Sequence, residues 1–513
     1  MSVGDALSLE QVAAVADGEP VALAPDARER MLAARAVVEA VVASGDTVYG
    51  VTTGFGSLAD VRIDRGQVAA LQQGIVLSHA TAVGPPLSRR EARAMLLLRA
   101  HVLALGHSGV RVEIVERMLE MLNADLVPFV PEQGSLGASG DLSPLASLAL
   151  PLLGRGRLLA GGGDDDGRER PLDAAPALEA HGLAPLQLDA KEGLALVNGT
   201  QGMVSIGALA LRRLGHLLRA ADVAAAMTIE AALGTDRAFD DRLMRLRPHP
   251  GAIDSAANLR AAMAGSEIVA SHRTSPHLVQ DAYSLRCSPH VHGATRDAVE
   301  FAERVVAIEA NAVSDNPVVL PEEGEVLSGG NFHGQPVAVA LDAAALAAVS
   351  LGGVAERRTY RLLDPSTNGG LPPFLVEHSG LNSGFMLAQY TSASLVSESK
   401  SLAHPASVDS IPSSAGQEDH VSMGMTSARH LRACVENAEI VIGIELLVAA
   451  QALDLRAPRS PAPGTRAARD VLRRVVQFLD ADRELRPDIE AAAAVVRGPE
   501  LLDAVESAVG PLR

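Results

Sequence analysis

Apolar residues recur along this chain with the period of an α-helix. Towards the C-terminal end, one set of them would form a single stripe on a helix with about 3.6 residues per turn. The stripe consists of Val471, Leu472, Val475, Val476 and Leu479. This spacing predicts a helix that packs one face against a core.

Four longer segments are apolar on more than one face. They cover roughly residues 202–234, 296–313, 335–363 and 431–455. The second is followed by Ser314-Asp315-Asn316-Pro317, and proline cannot continue a helix. Helices of this length and apolarity predict a mainly α fold with a long central helical bundle, extended by oligomerisation.

The first third of the chain is more broken. Glycines interrupt it in two clusters, at Gly50, Gly54 and Gly56 and again at Gly134, Gly137 and Gly140. Residues 161–170, GGGDDDGRER, predict an exposed turn between two short strands. Asp164, Asp165 and Asp166 lack the alternating spacing of a calcium loop, which favours a solvated turn over a metal site.

The composition narrows the class of protein. Hydrophobic residues make up 48% of the 513 residues but aromatic residues only 2%, without any Trp, so Ala and aliphatic side chains must fill the core. Such interiors favour close-packed helices over sheets. A net charge of −18 argues against nucleic acid or an anionic membrane as the main partner, without constraining a small substrate.

The chain carries the marks of a soluble, cytoplasmic protein. Its N-terminus, MSVGDALSLEQV, lacks the basic and apolar regions of a secretory signal. Cys287 and Cys434 are too few for a disulfide framework and fit a reducing compartment. Charged residues interrupt the apolar stretch 202–234, so a buried helix explains it better than a membrane span. These residues are Arg212, Arg213, Arg219 and Asp222.

The segment 134–146, GSLGASGDLSPLA, has unusual chemical potential. Small residues at this density ordinarily mean tight turns and close packing. In a sufficiently kinked chain, however, the amide nitrogen of Gly140 could attack the carbonyl carbon of Ala138, because glycine has no Cβ in the way. Cyclisation with loss of water, and dehydration of Ser139, would leave a ring with an exocyclic methylidene, a strong electrophile.

This segment closely resembles the signature of the aromatic amino acid ammonia-lyases and aminomutases, whose prosthetic group is 4-methylideneimidazol-5-one (MIO). The resemblance continues in order through nearly the whole chain. It includes YGVTTGFG (49–56), LSHA (77–80), KEGLALVNGTQ (191–201), VQDAYSLRC (279–287), NAVSDNP (311–317), SGGNFHGQP (328–336), LPPFLV (371–376) and HPASVDSIPSSAGQEDHVSMG (404–424).

Two blocks resemble the members of this family that act on histidine. Ser78-His79 is similar to a pair in which the histidine faces the substrate side chain, although enzymes acting on tyrosine can also carry a histidine there. QEDHVSMG places an acid, Glu418, where enzymes for tyrosine or phenylalanine tend to read NQD. An acid near an imidazole can orient it or share a proton with it. The resemblance therefore implies conversion of L-histidine to trans-urocanate and ammonia.

The resemblance also implies roles for individual residues. Tyr49 matches the tyrosine thought to abstract the β-proton, which requires a lowered pKa. Arg286 matches the arginine that binds the substrate carboxylate, and Asn198 matches an amide that supports the carboxylate or the ring. Tyr283 and Gln280 match residues beside the prosthetic group and substrate.

Three further residues keep more than one interpretation each. Glu418 could hold the imidazole, receive the amine proton or act as the base. Phe332 matches a ring packed at the prosthetic group, and core packing explains it equally well. Asp141, directly after the triad, could assist ring formation or cap a helix that starts at Leu142.

The resemblance implies a fumarase- and aspartase-like helical fold. We expect an N-terminal portion, 1–201, with the MIO loop, and a long-helix bundle over 202–513, assembled as a homotetramer with shared active sites. No metal and no dissociable organic cofactor is expected, since HExxH, CxxC and GxGxxG patterns are lacking. The alternatives are a lyase or 2,3-aminomutase for tyrosine or phenylalanine, and a scaffold without turnover.

Overall fold

The computed structural model describes residues 1–56, 61–163, 169–273 and 279–513. These residues are mainly helical, and their twenty α-helices are Leu9–Ala16, Pro25–Ser44, Val68–His79, Arg89–Ala104, Val112–Asn123, Leu142–Ala149, Ala174–Ala180, Glu192–Val197, Gln201–Ala231, Asp241–Leu246, Pro250–Met263, Glu267–Ala270, Tyr283–Arg286, Ser288–Ala310, Gln335–Leu363, Met386–Leu402, Gly424–Asp454, Pro463–Arg473, Arg486–Arg497 and Glu500–Val509. The prediction of a mainly α fold is confirmed.

The strands of the described residues are short and pair only in twos. The pairs are Ser2–Val3 with Ala22–Leu23, Val83–Pro86 with Pro131–Gln133, Arg157–Gly163 with Glu169–Asp173, and Val318–Leu320 with Glu325–Leu327. The third pair is antiparallel and contains the two strands predicted around residues 161–170. Asp164, Asp165 and Asp166, expected in the turn between them, lie outside the described residues.

The four predicted long helices are present. Gln335–Leu363 has the predicted ends, and the ends of the other three are shifted, to Gln201–Ala231, Ser288–Ala310 and Gly424–Asp454. The stripe that begins at Val471 is a different case, because its helix already ends at Arg473 and Val475 is 58% exposed. Gln451 explains the turn, since its side chain pairs with both the N–H and the carbonyl of Leu479, at 3.0 and 2.8 Å. The single helix predicted through Leu479 is therefore wrong.

The chain divides into two compact units. The first contains Met1–Leu209, Glu303–Asp342 and Pro405–Arg429, and the second contains Ala210–Ala302, Ala343–His404 and His430–Arg513. The first unit thus includes all of the expected N-terminal portion, 1–201, together with two later segments. The simple division of the chain after residue 201 stays a prediction.

In the first unit, three helices bring the predicted site segments together. Val68–His79 packs against both Glu192–Val197 and Leu142–Ala149, and the latter two also pack on each other. His79 is the last residue of its helix, while Asn198 and Asp141 directly flank the other two. The helix packing therefore places three of the predicted segments side by side.

In the second unit, parts of all four long helices share a buried polar network. Arg358 makes a two-pronged ion pair with Glu445, and its Nη1 lies 3.2 Å from Nε2 of His292. The Nδ1 of His292 lies 2.7 Å from a carboxylate oxygen of Asp222. All four side chains are fully buried. Burial lowers the pKa of His292, which fits a neutral ring that donates to Asp222 and accepts from Arg358.

Among the described residues, one helix, Gln335–Leu363, is long and apolar enough to cross a membrane by length and composition. In its most apolar window 61% of the residues are buried inside the protein. Core helices of soluble proteins pass the same test, and the burial explains the apolarity without a membrane.

Breaking the Arg358–Glu445 pair should destabilise the fold strongly. Arg358→Met would leave the Glu445 carboxylate buried without its counter-charge, which we expect to cost about 3–5 kcal/mol in the free energy of unfolding. The double variant Arg358→Met/Glu445→Met should cost less, because it buries no unpaired charge. Urea unfolding measures both, with Arg242→Met of the exposed Arg242–Asp240 pair as the control. A double variant as unstable as the single one would contradict this account.

Candidate active site

The segment 137–140 forms a turn that only glycine permits at two positions. Gly137, Ser139 and Gly140 all have positive φ, of 78°, 55° and 75°. A Cβ on Gly140 would overlap the carbonyl oxygen of Gly199, and one on Gly137 would overlap the hydroxyl of Ser422. The chain is therefore kinked at the triad, as ring closure from Ala138 to Gly140 would require.

The backbone of Gly199 lies directly beside this turn. Its N–H donates to the carbonyl of Ser139 at 3.2 Å, and its carbonyl accepts from the N–H of Asp141 at 2.7 Å. On another side, the N–H of Met423 donates to the carbonyl of Leu136 at 2.9 Å. Backbone hydrogen bonds from two distant segments therefore fix the conformation of the turn.

Asp141 anchors the turn to a helix other than the expected one. It precedes Leu142–Ala149, but its side chain makes no capping hydrogen bond to that helix. Its carboxylate instead accepts from the Ser135 hydroxyl and from the backbone N–H of Met203, both at 2.8 Å, in the first turn of Gln201–Ala231. Burial raises the pKa of Asp141 to about 6, and the charge of Glu309 adds to the rise.

The turn forms one wall of a cavity of about 240 Å³ in the first unit. This volume is below the range of about 300–1,000 Å³ typical of drug-sized ligands and suits a small metabolite. Its lining combines two residues of the triad and two further predicted site residues with several hydroxyl groups. The lining residues include Ala138, Gly140, His79, Glu418, Ser78, Thr81, Ser135, Ser143, Ser413 and Ser414.

His79 presents a neutral imidazole to this cavity. Its Nδ1 lies 3.0 Å from the hydroxyl of Ser78. Burial lowers the pKa of His79 below its usual value, so the ring is uncharged at neutral pH. A neutral imidazole can donate with one nitrogen and accept with the other, depending on its tautomer.

Glu418 brings a carboxylate oxygen without a protein partner. Its Oε2 is buried and makes no hydrogen bond within the described part of the chain. Its Oε1 lies 3.4 Å from the position of a Cβ on Gly56, and the N–H of Gly56 donates to the Tyr49 hydroxyl at 3.2 Å. Gly56 thus lies next to both Tyr49 and Glu418. A buried unpaired acceptor is costly, which is typical of an atom reserved for a ligand.

Asn198 lies beside the turn with one half of its amide unused. Its Nδ2 donates to the carbonyl of Asn316 at 2.8 Å, while its buried Oδ1 has no hydrogen-bond partner among the described residues. Phe332 is half-buried and precedes His333, whose ring stacks on His420 with centroids 5.9 Å apart. Phe332 is therefore close in space to the Glu418 segment but is not among the cavity residues named above.

Gln280, Tyr283 and Arg286 belong to the second unit and are not part of this cluster. Tyr283 is the first residue of the helix Tyr283–Arg286 and is 72% exposed. The guanidinium carbon of Arg286 lies 4.7 Å from the centre of the Tyr283 ring, and its Nε donates to the carbonyl of Asp281 at 2.9 Å. Gln280 is exposed next to Asp281.

Sequence reasoning missed several residues around the turn. The Ser143 hydroxyl accepts from the N–H of Thr81 at 3.1 Å, and both side chains line the cavity. Arg99 donates to the backbone carbonyl of Asn198 at 2.6 Å. The signal for Arg99 is its place directly after the apolar run Met95–Leu98, where a charge calls for a buried partner. The hydroxyl residues Ser143 and Thr81 have no comparable signal in the sequence.

Within the described ranges, no group of three or more His, Cys, Asp or Glu side chains is arranged to hold a metal ion. Glu418, Asp419 and His420, which are adjacent in sequence, therefore do not form such a group with His404.

Comparison with known proteins identifies the family. The model of the aromatic amino acid lyase family matches residues 7–474. The histidine ammonia-lyase of Sorangium cellulosum is 54% identical, with all of both chains covered, and that of Anaeromyxobacter dehalogenans is 56% identical, with 96% of this chain and 97% of the relative covered.

Solved structures agree with this result. The histidine ammonia-lyase of Trypanosoma cruzi has a TM-score of 0.90 and 41% identity, covering 99% of this chain and 96% of that one. The tyrosine aminomutase of Streptomyces globisporus has a TM-score of 0.94 and 38% identity, with both chains fully covered. The shared fold does not separate the substrates of these enzymes, but the sequence, fold and site agree on one conclusion. This chain belongs to the aromatic amino acid lyase family.

Proposed function

We propose that this chain is an ammonia-lyase that converts L-histidine to trans-urocanate and ammonia. The observation that carries the proposal is that His79 and Glu418 line the same cavity beside the Ala138–Gly140 turn, and that one carboxylate oxygen of Glu418 has no hydrogen-bond partner among the described residues. The curated relatives named histidine ammonia-lyase, at 51–56% identity, support the same substrate.

The electrophile would be MIO, formed from Ala138, Ser139 and Gly140. The residues fit the group, because the turn already has positive φ at Ser139 and Gly140 and has no room for a Cβ at Gly140. The Gly140 nitrogen would attack the Ala138 carbonyl carbon, and the carbonyl oxygen would leave as the first water with the amide protons of Gly140 and Ser139. The Ser139 hydroxyl would leave as the second water with the Cα proton of Ser139. We propose Asp141, which directly follows the triad and has a raised pKa, as the group that moves a proton in these steps. Once formed, the group supplies an electrophilic methylidene carbon that ordinary side chains lack.

The imidazole of the substrate fits between His79 and Glu418. Glu418 Oε2 can accept the ring N–H, which satisfies the otherwise unpaired oxygen. The neutral ring of His79 can donate to or accept from the other ring nitrogen. A phenol or phenyl side chain would satisfy these groups less well. This difference is our reason for preferring histidine over tyrosine or phenylalanine, the substrates of the alternative lyases and 2,3-aminomutases.

Tyr49 is the proposed base for the β-proton. Its hydroxyl accepts a hydrogen bond from the N–H of Gly56 at 3.2 Å, which fixes the position of the phenol oxygen. Glu418, the other candidate for the base, is assigned to holding the imidazole. In this division of labour, Tyr49 moves the proton and Glu418 orients the ring.

The carboxylate of the substrate would be held by Arg286 and Asn198, with Tyr283 and Gln280 beside it. A guanidinium can pair with a carboxylate through two parallel hydrogen bonds. We include in the proposal a homotetramer in which neighbouring subunits complete each site, and a cytoplasmic location. The exposed Tyr283 ring is consistent with a residue that serves a site in the assembly.

Replacing Ser139 tests the proposal directly. Ser139→Ala has no hydroxyl to eliminate, so the methylidene cannot form, and the variant should lose at most the one water of ring closure and release no ammonia from L-histidine. The wild-type chain should be lighter by two waters and form urocanate, which ultraviolet absorption detects. Ser44→Ala, at the end of the helix Pro25–Ser44, is the control and should behave as wild type. Urocanate formation by Ser139→Ala would refute the proposed chemistry.

Tyr49→Phe tests whether Tyr49 is the base that removes the β-proton. We expect a complete loss of two waters but a fall in kcat of about 10²–10⁴, because general base catalysis is removed. Steady-state kinetics on chain of verified mass measures this fall. Little change in kcat would show that Tyr49 is not the base.

Glu418→Gln should act mainly on substrate binding. The amide keeps a similar shape but accepts an imidazole N–H more weakly, since it carries no charge. We expect KM for L-histidine to rise by about tenfold, in line with a loss of about 1.4 kcal/mol, with a smaller change in kcat. A collapse of kcat at unchanged KM would instead assign Glu418 as the base.

A further inference from the structure

Arg99 is a fully buried arginine directly behind the ring-forming turn. It lies on the helix Arg89–Ala104, and its Nη1 donates to the carbonyl of Asn198 at 2.6 Å and to Oε1 of Gln201 at 2.9 Å. Its Nε and Nη2 have no hydrogen-bond partner among the described residues. Burial lowers the pKa of Arg99 to about 10, so the guanidinium remains charged at neutral pH.

The neighbouring charges do not explain why this cation is buried. Lys191 and Asp315, both fully buried, form their own pair with Nζ and Oδ2 2.7 Å apart. Arg99 is thus an additional cation that shares Asp315 with Lys191. The other carboxyls tied to this segment are Asp141 and Glu309, and burial raises the pKa of both. Arg99 itself donates to a backbone carbonyl and an amide oxygen and to no carboxylate of the described residues, and burying a cation without an ion pair of its own is costly in stability.

The guanidinium is separated from the turn by a single peptide segment. Gly199 makes both backbone hydrogen bonds to Ser139 and Asp141, and a Cβ on Gly199 would lie 2.6 Å from Arg99 Nη1. Gln201 is itself fixed, since its Nε2 donates to the Ser314 hydroxyl at 2.8 Å. Arg99 and Gln201 therefore fix the Asn198–Gly199 peptide, which hydrogen-bonds to the turn.

We infer that Arg99, supported by Gln201, is a positioning residue for closure of the MIO ring. Closure requires the Gly140 nitrogen to stay within reach of the Ala138 carbonyl carbon, and small misplacements of reacting groups cost large factors in rate. By fixing the Asn198–Gly199 peptide, Arg99 keeps the turn in the closing geometry. The inference rests on the proposed function, because it requires that the ring forms.

The experiment compares Arg99→Met and Arg99→Lys with the wild-type chain. Each full-length protein is purified at intervals after synthesis is stopped, and intact mass gives the fraction that has lost two waters. We expect closure to be slower by about tenfold or more in Arg99→Met, because the hydrogen bond to Asn198 is lost. Arg99→Lys keeps the charge, but its ammonium is carried on a flexible stem and should hold the same two acceptors less firmly than the rigid guanidinium, so closure should be intermediate.

Arg93 provides a matched control on the same helix. It is also buried and donates to two backbone carbonyls, those of Val15 and Leu122, each at 3.1 Å. Arg93→Lys should lower the melting temperature but close its ring at the wild-type rate. Circular dichroism establishes that the compared proteins are folded. A difference in the fraction that has lost two waters is then not caused by unfolding.

The outcomes are distinguishable. A folded Arg99→Met that loses both waters at the wild-type rate would overturn the inference and leave the proposed function intact. A wild-type chain that retains both waters would overturn the proposed function, and the inference with it. If neither Arg99 variant folds, Gln201→Met decides, because it leaves every buried charge in place. Slow closure in that variant supports the inference, and closure at the wild-type rate contradicts it.

Discussion

The close approach of two backbone segments, at Gly140 and Gly199, is the constraint on which the site depends. No side chain fits between them, and both backbone groups of Gly199 hydrogen-bond to the turn. Asp141 then ties the same turn to the first turn of Gln201–Ala231. The long helix therefore serves as the rigid base from which the reactive triad is held, as preorganised catalysis requires.

The buried network around Arg358 and the site around the turn differ in how their polar groups are satisfied. In the second unit, the buried Arg358, Glu445, His292 and Asp222 each have polar partners within the network, which is what stability demands. Around the turn, by contrast, Glu418, Asn198 and Arg99 each keep at least one buried polar atom without a partner among the described residues. Buried polar atoms without a partner beside a reactive turn are typical of a site that uses these atoms for binding and chemistry at a cost in stability.

Much of the fold could be predicted from the sequence, because long apolar segments leave few alternatives to buried helices. The single helix predicted from the stripe at Val471 is wrong, because periodicity cannot reveal that the side chain of Gln451 hydrogen-bonds to the backbone of Leu479. The turn at Ala138–Gly140, His79 and Glu418 could be identified from motifs. The capping of a distant helix by Asp141 and the clamp of Arg99 could not, because both depend on contacts about 60 to 100 residues apart along the chain.

The central claim is that a carboxylate and a neutral imidazole in one cavity select histidine. The most direct test is kcat/KM of the wild-type chain for L-histidine against L-tyrosine and L-phenylalanine, with each product identified. A site built to hydrogen-bond a substrate group rejects analogues that lack it by factors of about 10⁴. The account predicts urocanate as the product and a preference for histidine of that order. Comparable or greater kcat/KM for tyrosine or phenylalanine, or a β-amino acid as the product, would contradict it.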